Sequence, residues 1–264
     1  MGYEEIWHND IAASTLFTRT CTNAETNSPV GNAVTEIVQN KTISTGIGNW
    51  YYTFNGTAAN TIKGFAIFGL NTGTWTTLQA QGSNNDFTDT LATQNLTVIT
   101  RTLVKFNFIT KKVEANTQYM AYCKVDWGYQ DYRILFNSAA VSWYEIGRIY
   151  IFTQVLEVKH PSELDQPADV TTVSTVIQGD GGQYIKIPRY QSFSYDLDIR
   201  RTTKEEADKL VKTCNVNPSL CYFIDGVPSG ELFFGNFDFS RRQTFGNVFG
   251  ADKVNLQGKF IESL

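Results

Sequence analysis

Short runs of β-branched and aromatic residues recur along the first part of the chain, and runs of Asn, Gly, Asp and Ser separate them. Trp50 to Phe54 is followed by the turn pair Asn55-Gly56, and the apolar run from Ile62 to Leu70 is too short for a buried helix. Further strands are predicted at 75–81, 97–108, 118–125, 133–136 and 143–152. Regular short strands without a helical period favour a β-sandwich or jelly roll.

The segment 158–169 interrupts this pattern, since it holds Pro161 and Pro167 among acidic residues. Proline lacks a backbone donor and breaks both helices and central strands. We therefore predict three parts: a β-sandwich domain over 1–157, a linker over 158–169 and a second domain over 170–264.

The second domain is predicted to be α+β, with strands at 170–177, 184–187, 193–201, 220–224, 231–241 and 254–261. A capping box at Thr202 to Glu206 precedes a helical period in which Ala207, Leu210, Val211 and Cys214 share one face. This face should pack on the sheet, while Lys204 and Lys209 point outward. The fold class is thus mainly β, a sandwich followed by a smaller sheet with one helix.

Composition fits a folded, globular protein, because 42% of the 264 residues are apolar and 14% are aromatic. Lys and Arg number 22 against 26 Asp and Glu, and this balance argues against nucleic acid as a partner. The first residues lack the basic region and apolar run of a secretory signal, and no run is long enough for a spanning helix. We expect synthesis in a cytoplasm and no membrane insertion.

Candidate catalytic and metal-binding residues are sparse. The two histidines, His8 and His160, have no acid partner at a defined spacing, and they are not near the four cysteines. The loop acids Asp86, Asp89, Asp126 and Asp131 could place two carboxylates at one rim, as in a glycosidase, but so many acids produce such coincidences by chance. We predict no enzymatic activity, no cofactor and no metal, and leave open whether Cys214 and Cys221 are bridged.

Two glycine-containing segments have the composition of a phosphate-binding loop and of a nucleophile elbow, namely Gly179 to Gly182 and Gly226 to Gly230. A phosphate-binding loop needs a helix directly after it, and a nucleophile elbow needs the register G-x-S-x-G. The first segment precedes a strand pattern and the second is out of register. Both are interpreted as turns.

Aromatic residues in predicted loops are the main candidates for binding, because an exposed ring can stack on a sugar face while nearby polar groups bond the hydroxyls. The segment Asp126-Trp-Gly-Tyr-Gln-Asp131 is predicted to be such a loop. Trp127, Tyr129 and Asp131 are the predicted glycan contacts.

The order of Trp50-Tyr-Tyr-Thr-Phe54, Asn60 to Asn71, Gln79 to Asn84 and Trp143 to Phe152 resembles the galactose-binding-like (discoidin-type) jelly roll found in structural proteins of tailed bacteriophages. Arg200-Arg201, the helix start and the strands Cys221 to Asp225 and Phe234 to Phe239 are similar to the tail-associated part of such proteins.

The resemblance implies a non-enzymatic virion component at the tail tip, the baseplate or an adaptor, assembled in the host cytoplasm. Its partners would be copies of itself in a ring and other virion proteins, with Lys204 and Lys209 as a candidate assembly face. The alternative is a receptor- or carbohydrate-binding module of a fibre, decoration or adhesin, whose partner would be a host surface glycan. A third hypothesis is an accessory domain of an enzyme.

Overall fold

A computed structural model describes residues 4–24, 28–35, 41–45, 48–88, 92–107, 110, 112–158, 169–178, 184–217, 220–224, 231–245 and 253–262. The secondary-structure elements in chain order are β1 Glu4–Asp10, β2 Phe17–Cys21, a 3₁₀ helix at Val30–Val34, β3 Thr42–Thr45, β4 Trp50–Gly56, β5 Asn60–Leu70, β6 Thr77–Ser83, β7 Ala92–Asn95, β8 Thr97–Asn107, β9 Lys112–Tyr129, β10 Asp131–Asn137, β11 Trp143–Ile146, β12 Arg148–Val158, β13 Asp169–Gln178, β14 Tyr184–Thr203, α1 Lys204–Val216, β15 Leu220–Ile224, β16 Glu231–Phe245 and β17 Lys253–Glu262.

The chain forms two compact units, and each is discontinuous in sequence. The sandwich unit comprises Met1–Thr100, Tyr119–Glu157 and Ser219–Phe233. The helix unit comprises Arg101–Gln118, Val158–Pro218 and Phe234–Leu264. Most of the predicted linker, residues 159–168, lies outside the described residues, and the boundaries at 157 and 170 stay a prediction.

Two β-sheets form the sandwich unit. One has five strands in the order β2-β4-β10-β6-β7, and the other runs β15-β1-β12-β5-β9 within this unit. β15 lies antiparallel to β1, with Glu4 opposite Ile224 and Trp7 opposite Cys221. A short two-stranded sheet of β3 and β11 completes the unit.

The sandwich core follows from strict alternation along the strands, because successive side chains of a strand point to opposite faces. Trp50, Tyr52 and Phe54 of β4 are buried, as are Ile134 and Phe136 of β10. They form one apolar cluster with buried residues of β5, β9 and β12. Rings meet across the two sheets, for example Phe65 and Tyr132 with centroids 6.1 Å apart. The predicted mainly β fold with a sandwich is confirmed.

The strand β9 differs from the sequence prediction. Residues 126–131 were expected to form a loop, but β9 continues to Tyr129 and β10 begins at Asp131. Thr61 pairs with Gly128, and Asn60 pairs with Tyr129. Only Gln130 therefore separates a strand of one sheet from a strand of the other. The expectation of a loop was wrong because pairing with β5 outweighs the polar, glycine-containing composition of the segment.

The helix unit contains the antiparallel strand order β13-β14-β17-β16. The two strands predicted at 184–187 and 193–201 are one strand, β14. Pairing with β13 shifts register between Val173 and Ser174, directly opposite Pro188. A bulge of this kind accommodates a proline, which cannot donate to a regular ladder.

Helix α1 is the one α-helix in the described part of the chain, and it confirms the predicted capping box. The Thr203 hydroxyl accepts the Glu206 N–H at 3.2 Å, and the Glu206 carboxylate accepts the Thr203 N–H at 3.3 Å. Ala207, Leu210 and Cys214 are buried, and α1 packs on β14 and β17. This helix has 13 residues, and no described helix is long and apolar enough to cross a membrane.

Candidate functional site

Trp127 and Tyr129 belong to the sandwich core more than to its surface. Both are half-buried and pack against the apolar cluster. The Trp127 ring meets Phe65 edge-on at 6.5 Å. The Tyr129 ring covers Gly82 so closely that a Cβ there would lie 2.5 Å from a ring carbon. Glycan contact by these two rings stays a prediction.

Asp131 has a different role from the direct sugar contact that was predicted for it. It is only 4% exposed, and its two oxygens are already engaged. Oδ1 accepts the Gly56 N–H and Oδ2 accepts the Asp86 N–H, each at 3.1 Å. Such charge-assisted bonds are stronger than neutral ones, so Asp131 fixes the ends of two connecting segments.

The segment after β6 has an unusual backbone. Asp86 and Phe87 have φ angles of 56° and 63°, a region that bulky non-glycine residues seldom adopt. The hydroxyl of Ser83 accepts the N–H groups of Asn85 at 3.1 Å and Phe87 at 3.0 Å. These bonds, with the Asp131 contact, hold a conformation that would otherwise cost energy. This backbone conformation places the Phe87 ring beside Arg133.

Arg133 lies beside two aromatic rings on the outer face of the five-stranded sheet. Its guanidinium carbon is 4.2 Å from the centroid of Phe87 and 4.5 Å from that of Tyr51. Its Nε donates to Oε1 of Gln81 at 2.6 Å. A cation over an aromatic face is attracted by the ring quadrupole. The guanidinium group is therefore held by contacts with two rings and by one hydrogen bond.

Side-chain amides extend from Arg133 across the sheet as one hydrogen-bonded row. Gln81 Nε2 donates to Gln79 Oε1 at 3.0 Å, and Gln79 Nε2 donates to Asn95 Oδ1 at 3.0 Å. The backbone register explains the row, because Arg133 lies opposite Gln81 and Gln79 lies opposite Asn95. We call this surface the Arg133 face. It consists of Tyr51, Gln79, Phe87, Asn95 and Arg133, together with Gln81, which is only 6% exposed and links Arg133 to Gln79.

The outer edge of Arg133 is available to a ligand. Its Nη1 and Nη2 donate no hydrogen bond among the described residues, and neither is a solvent-excluded atom. Burial lowers the pKa of Arg133 from its ordinary value, and the nearby Asp86 carboxylate acts in the opposite direction. No ion pair joins these two residues in the described structure. Guanidinium groups nevertheless stay charged at neutral pH.

Trp143 is a second exposed aromatic ring, with 42% of its surface accessible. The polar side chain beside it is Asn71, whose Nδ2 donates to the Trp143 carbonyl at 2.9 Å. Asn71 Oδ1 accepts the Glu145 N–H at 3.2 Å. This amide is therefore engaged through both its nitrogen and its oxygen.

The other predicted catalytic candidates have surface or structural surroundings. Asp126 forms an exposed ion pair with Lys63 at 2.8 Å. His8 is buried within β1, whereas Asp89 and His160 lie outside the described residues, as do the glycine segments 179–182 and 226–230. Among the described residues, no three His, Cys, Asp or Glu side chains could hold a metal ion. The four cysteines are free thiols.

Lys204 and Lys209, the predicted assembly face, are exposed on α1 as expected. Their role in assembly stays a prediction.

Sequence reasoning missed the Arg133 face, although β10 offered a signal. In Asp131 to Asn137 the apolar residues Tyr132, Ile134 and Phe136 alternate with Arg133, which places a cation on the outer side of a sheet strand. Its aromatic neighbours come from distant segments and give no local signal.

No protein-family model matches the chain, and no curated protein matches it either. Several solved structures do align with it. Chitosan-binding module 1 of a chitosanase/glucanase from Paenibacillus sp. IK-5 is 12% identical and has a TM-score of 0.37, covering 55% of this chain and 99% of that one. The family 32 CBM from C. perfringens NanJ in complex with galactose is 15% identical with a TM-score of 0.37, covering 56% and 98%. A Streptococcus pneumoniae fucose binding module is 10% identical with a TM-score of 0.38, covering 55% and 96%.

Proposed function

We propose that this chain is a non-enzymatic carbohydrate-binding protein and that the Arg133 face is its binding surface. The observation that supports the proposal is the row from Arg133 through Gln81 and Gln79 to Asn95, beside the ring of Tyr51. A sugar presents an apolar face and several hydroxyls that both donate and accept. Aromatic rings together with a few fixed amide groups match this chemistry.

The row also orients its polar groups before a ligand arrives. Each amide oxygen in it accepts from its neighbour, so the Nδ2 group of Asn95 and the Nη groups of Arg133 are donors that make no hydrogen bond among the described residues. A surface whose polar groups are fixed in advance loses less conformational entropy on binding than one that must order flexible side chains. The face therefore suits hydroxyl recognition better than an equally polar but disordered loop would.

Glycan-array screening followed by calorimetric titration tests this function. The wild-type protein should bind a subset of oligosaccharides, and Tyr51→Ala and Asn95→Ala should each weaken binding. Lys63→Ala is the matched control, because Lys63 is half-buried, lies outside the Arg133 face and forms an ion pair with Asp126. Absence of binding to every glycan, or weakening by Lys63→Ala alone, would contradict the proposal. Turnover of a bound oligosaccharide would contradict its non-enzymatic part.

Location in a virion and assembly into a ring with copies of itself remain proposals that the resemblance to phage proteins implies. They are compatible with glycan binding, since a virion component can contact a host surface. Native mass spectrometry tests the ring: a defined higher oligomer supports it, and a monomer at micromolar concentration contradicts it. Substitution of Lys204 and Lys209 should then reduce the oligomer without affecting glycan binding.

A further inference from the structure

The Arg133 face carries a positive charge on its guanidinium group, and recognition of a neutral sugar does not require such a charge. Arg133 has two aromatic contacts and one hydrogen bond through Nε, and all three leave its Nη edge open. A guanidinium edge presents two parallel N–H donors, and this geometry matches a carboxylate in a bidentate pair. A single hydroxyl uses only one of these donors.

The side chains around Arg133 in the sheet are neutral, and one carboxylate lies in the nearby loop. The outward side chains nearest to it in the sheet register are neutral, namely Thr53, Gln81, Tyr51 and Gln79. Asp131, the acidic residue of the same strand, is buried and bonded to two backbone N–H groups. Asp86 is the carboxylate whose charge reaches Arg133, and it is exposed in the loop that carries Phe87.

We propose that the Arg133 face recognises acidic glycans, with the carboxylate of a uronic or sialic acid unit paired to the Nη edge of Arg133 and neighbouring hydroxyls bonded by the amides of Gln79 and Asn95. This inference rests on the proposed function, since it names the substrate class of the same surface. The rings of Tyr51 and Phe87 also act in positioning here, because both contact the guanidinium group of Arg133.

The test uses calorimetric titration of the full chain with sialyllactose, a hyaluronan octasaccharide, lactose and a carboxyl-reduced hyaluronan octasaccharide. Acidic ligands should bind at least about tenfold more tightly than their neutral counterparts, since bonds to charged groups are the stronger ones. Arg133→Gln should abolish this preference. Arg133→Lys should restore it only in part, because an ammonium cannot form the planar pair. Urea melts of both variants would show whether they fold.

Asp86→Asn gives a second arm that does not depend on removing Arg133. Asparagine tolerates the positive φ of this position, so the loop should persist. Loss of the repelling carboxylate should tighten acidic ligands several-fold and leave lactose unchanged. The acidic preference should also weaken as salt increases.

The outcomes separate this inference from the proposed function. Equal binding of acidic and neutral glycans, unchanged in Arg133→Gln, overturns the acidic preference and leaves glycan binding in place. Preference for sulfated over carboxylated glycans also overturns it, because the bidentate carboxylate pair would not be the basis of recognition. No binding to any ligand overturns both proposals.

Discussion

The carboxylate of Asp131 accepts the backbone N–H of Asp86 at 3.1 Å, although the two residues are 45 positions apart in sequence. Its other oxygen accepts the Gly56 N–H. Through these bonds, one buried acid at the start of β10 fixes the loop that places Phe87 over Arg133. Asp131, two positions before Arg133 on the same strand, thus helps to fix the position of the Phe87 ring in the proposed binding surface.

This relationship predicts that Asp131→Asn destabilises the sandwich. Asparagine offers one acceptor oxygen and turns an NH₂ group toward a backbone donor, so one hydrogen bond is lost. We expect a loss of about 1–3 kcal/mol in the free energy of unfolding, measured by urea melts. Asp126→Asn is the control, and it should change stability by about 0.5 kcal/mol or less, because 73% of the Asp126 side chain is exposed. Equal effects of both changes would contradict the role of Asp131.

The crowded surroundings of Gly64 lead us to expect that a substitution there destabilises the sandwich. Its φ is +155°, and an added Cβ would lie 2.2 Å from the Cys123 carbonyl and 2.5 Å from the Phe152 ring. Gly64→Ala should cost roughly 3 kcal/mol or more, because backbone in a packed core must move. Gly128→Ala in β9 is the control, since the nearest atom to its Cβ is 3.8 Å away. Thermal melts that rank the two variants the other way would refute this account.

Helix α1 predicts a contrast between its buried and exposed faces. Leu210 is 6% exposed, whereas its neighbour Lys209 is exposed. Leu210→Ala should lower the free energy of unfolding by about 2–5 kcal/mol, and Lys209→Ala by about 0.5 kcal/mol or less. Urea melts measure both. A wild-type melt for Leu210→Ala would mean that the two faces of α1 are assigned in reverse.

Buried thiols predict a loss of stability in alkali. Burial raises the pKa of Cys123 and of Cys214 to about 12, from the ordinary value of 9.0. Between pH 9 and 12 the folded state keeps protons that the unfolded state releases, so this stabilisation is complete below pH 9 and is lost as pH rises. Each thiol should contribute a slope of about 1.4 kcal/mol per pH unit there.

Urea melts between pH 7 and about 10.5 measure this slope, with Cys123→Ala/Cys214→Ala as the comparison. The double variant should lose stability less steeply with pH, but it should still lose some, because burial also raises the pKa of Tyr132 to about 12. Identical slopes for both proteins would show that these thiols titrate in the fold as they do in the unfolded chain.

Limited proteolysis tests the predicted linker. If cleavage occurs between Pro161 and Pro167, the two fragments should still elute together from a sizing column without denaturant. The reason is that β15, which follows the cut, pairs with β1, which precedes it, from Glu4 with Ile224 to Trp7 with Cys221. Separation of the fragments without urea would contradict this pairing. Cleavage spread through residues 50–150 would argue against the sandwich.

The sequence by itself determined the local features of this protein. Alternation of apolar residues in β4 and β10 is enough to predict strands with one buried face, and the Thr203 to Glu206 box is enough to predict where α1 begins. These features depend on residues within a few positions of one another. The periodicity of apolar residues and the capping residues are therefore sufficient to predict these strands and the start of α1.

Only the tertiary structure decided how the strands combine and what surrounds Arg133. β15 joins β1 across more than 200 residues, and the two rings on Arg133 come from β4 and from the loop after β6. Long-range pairing is set by register and by burial of whole faces, and these are properties of the assembled sheets. For the same reason the sequence alone did not show that Trp127 and Tyr129 pack against the core, or that the Asp131 carboxylate accepts two backbone N–H groups.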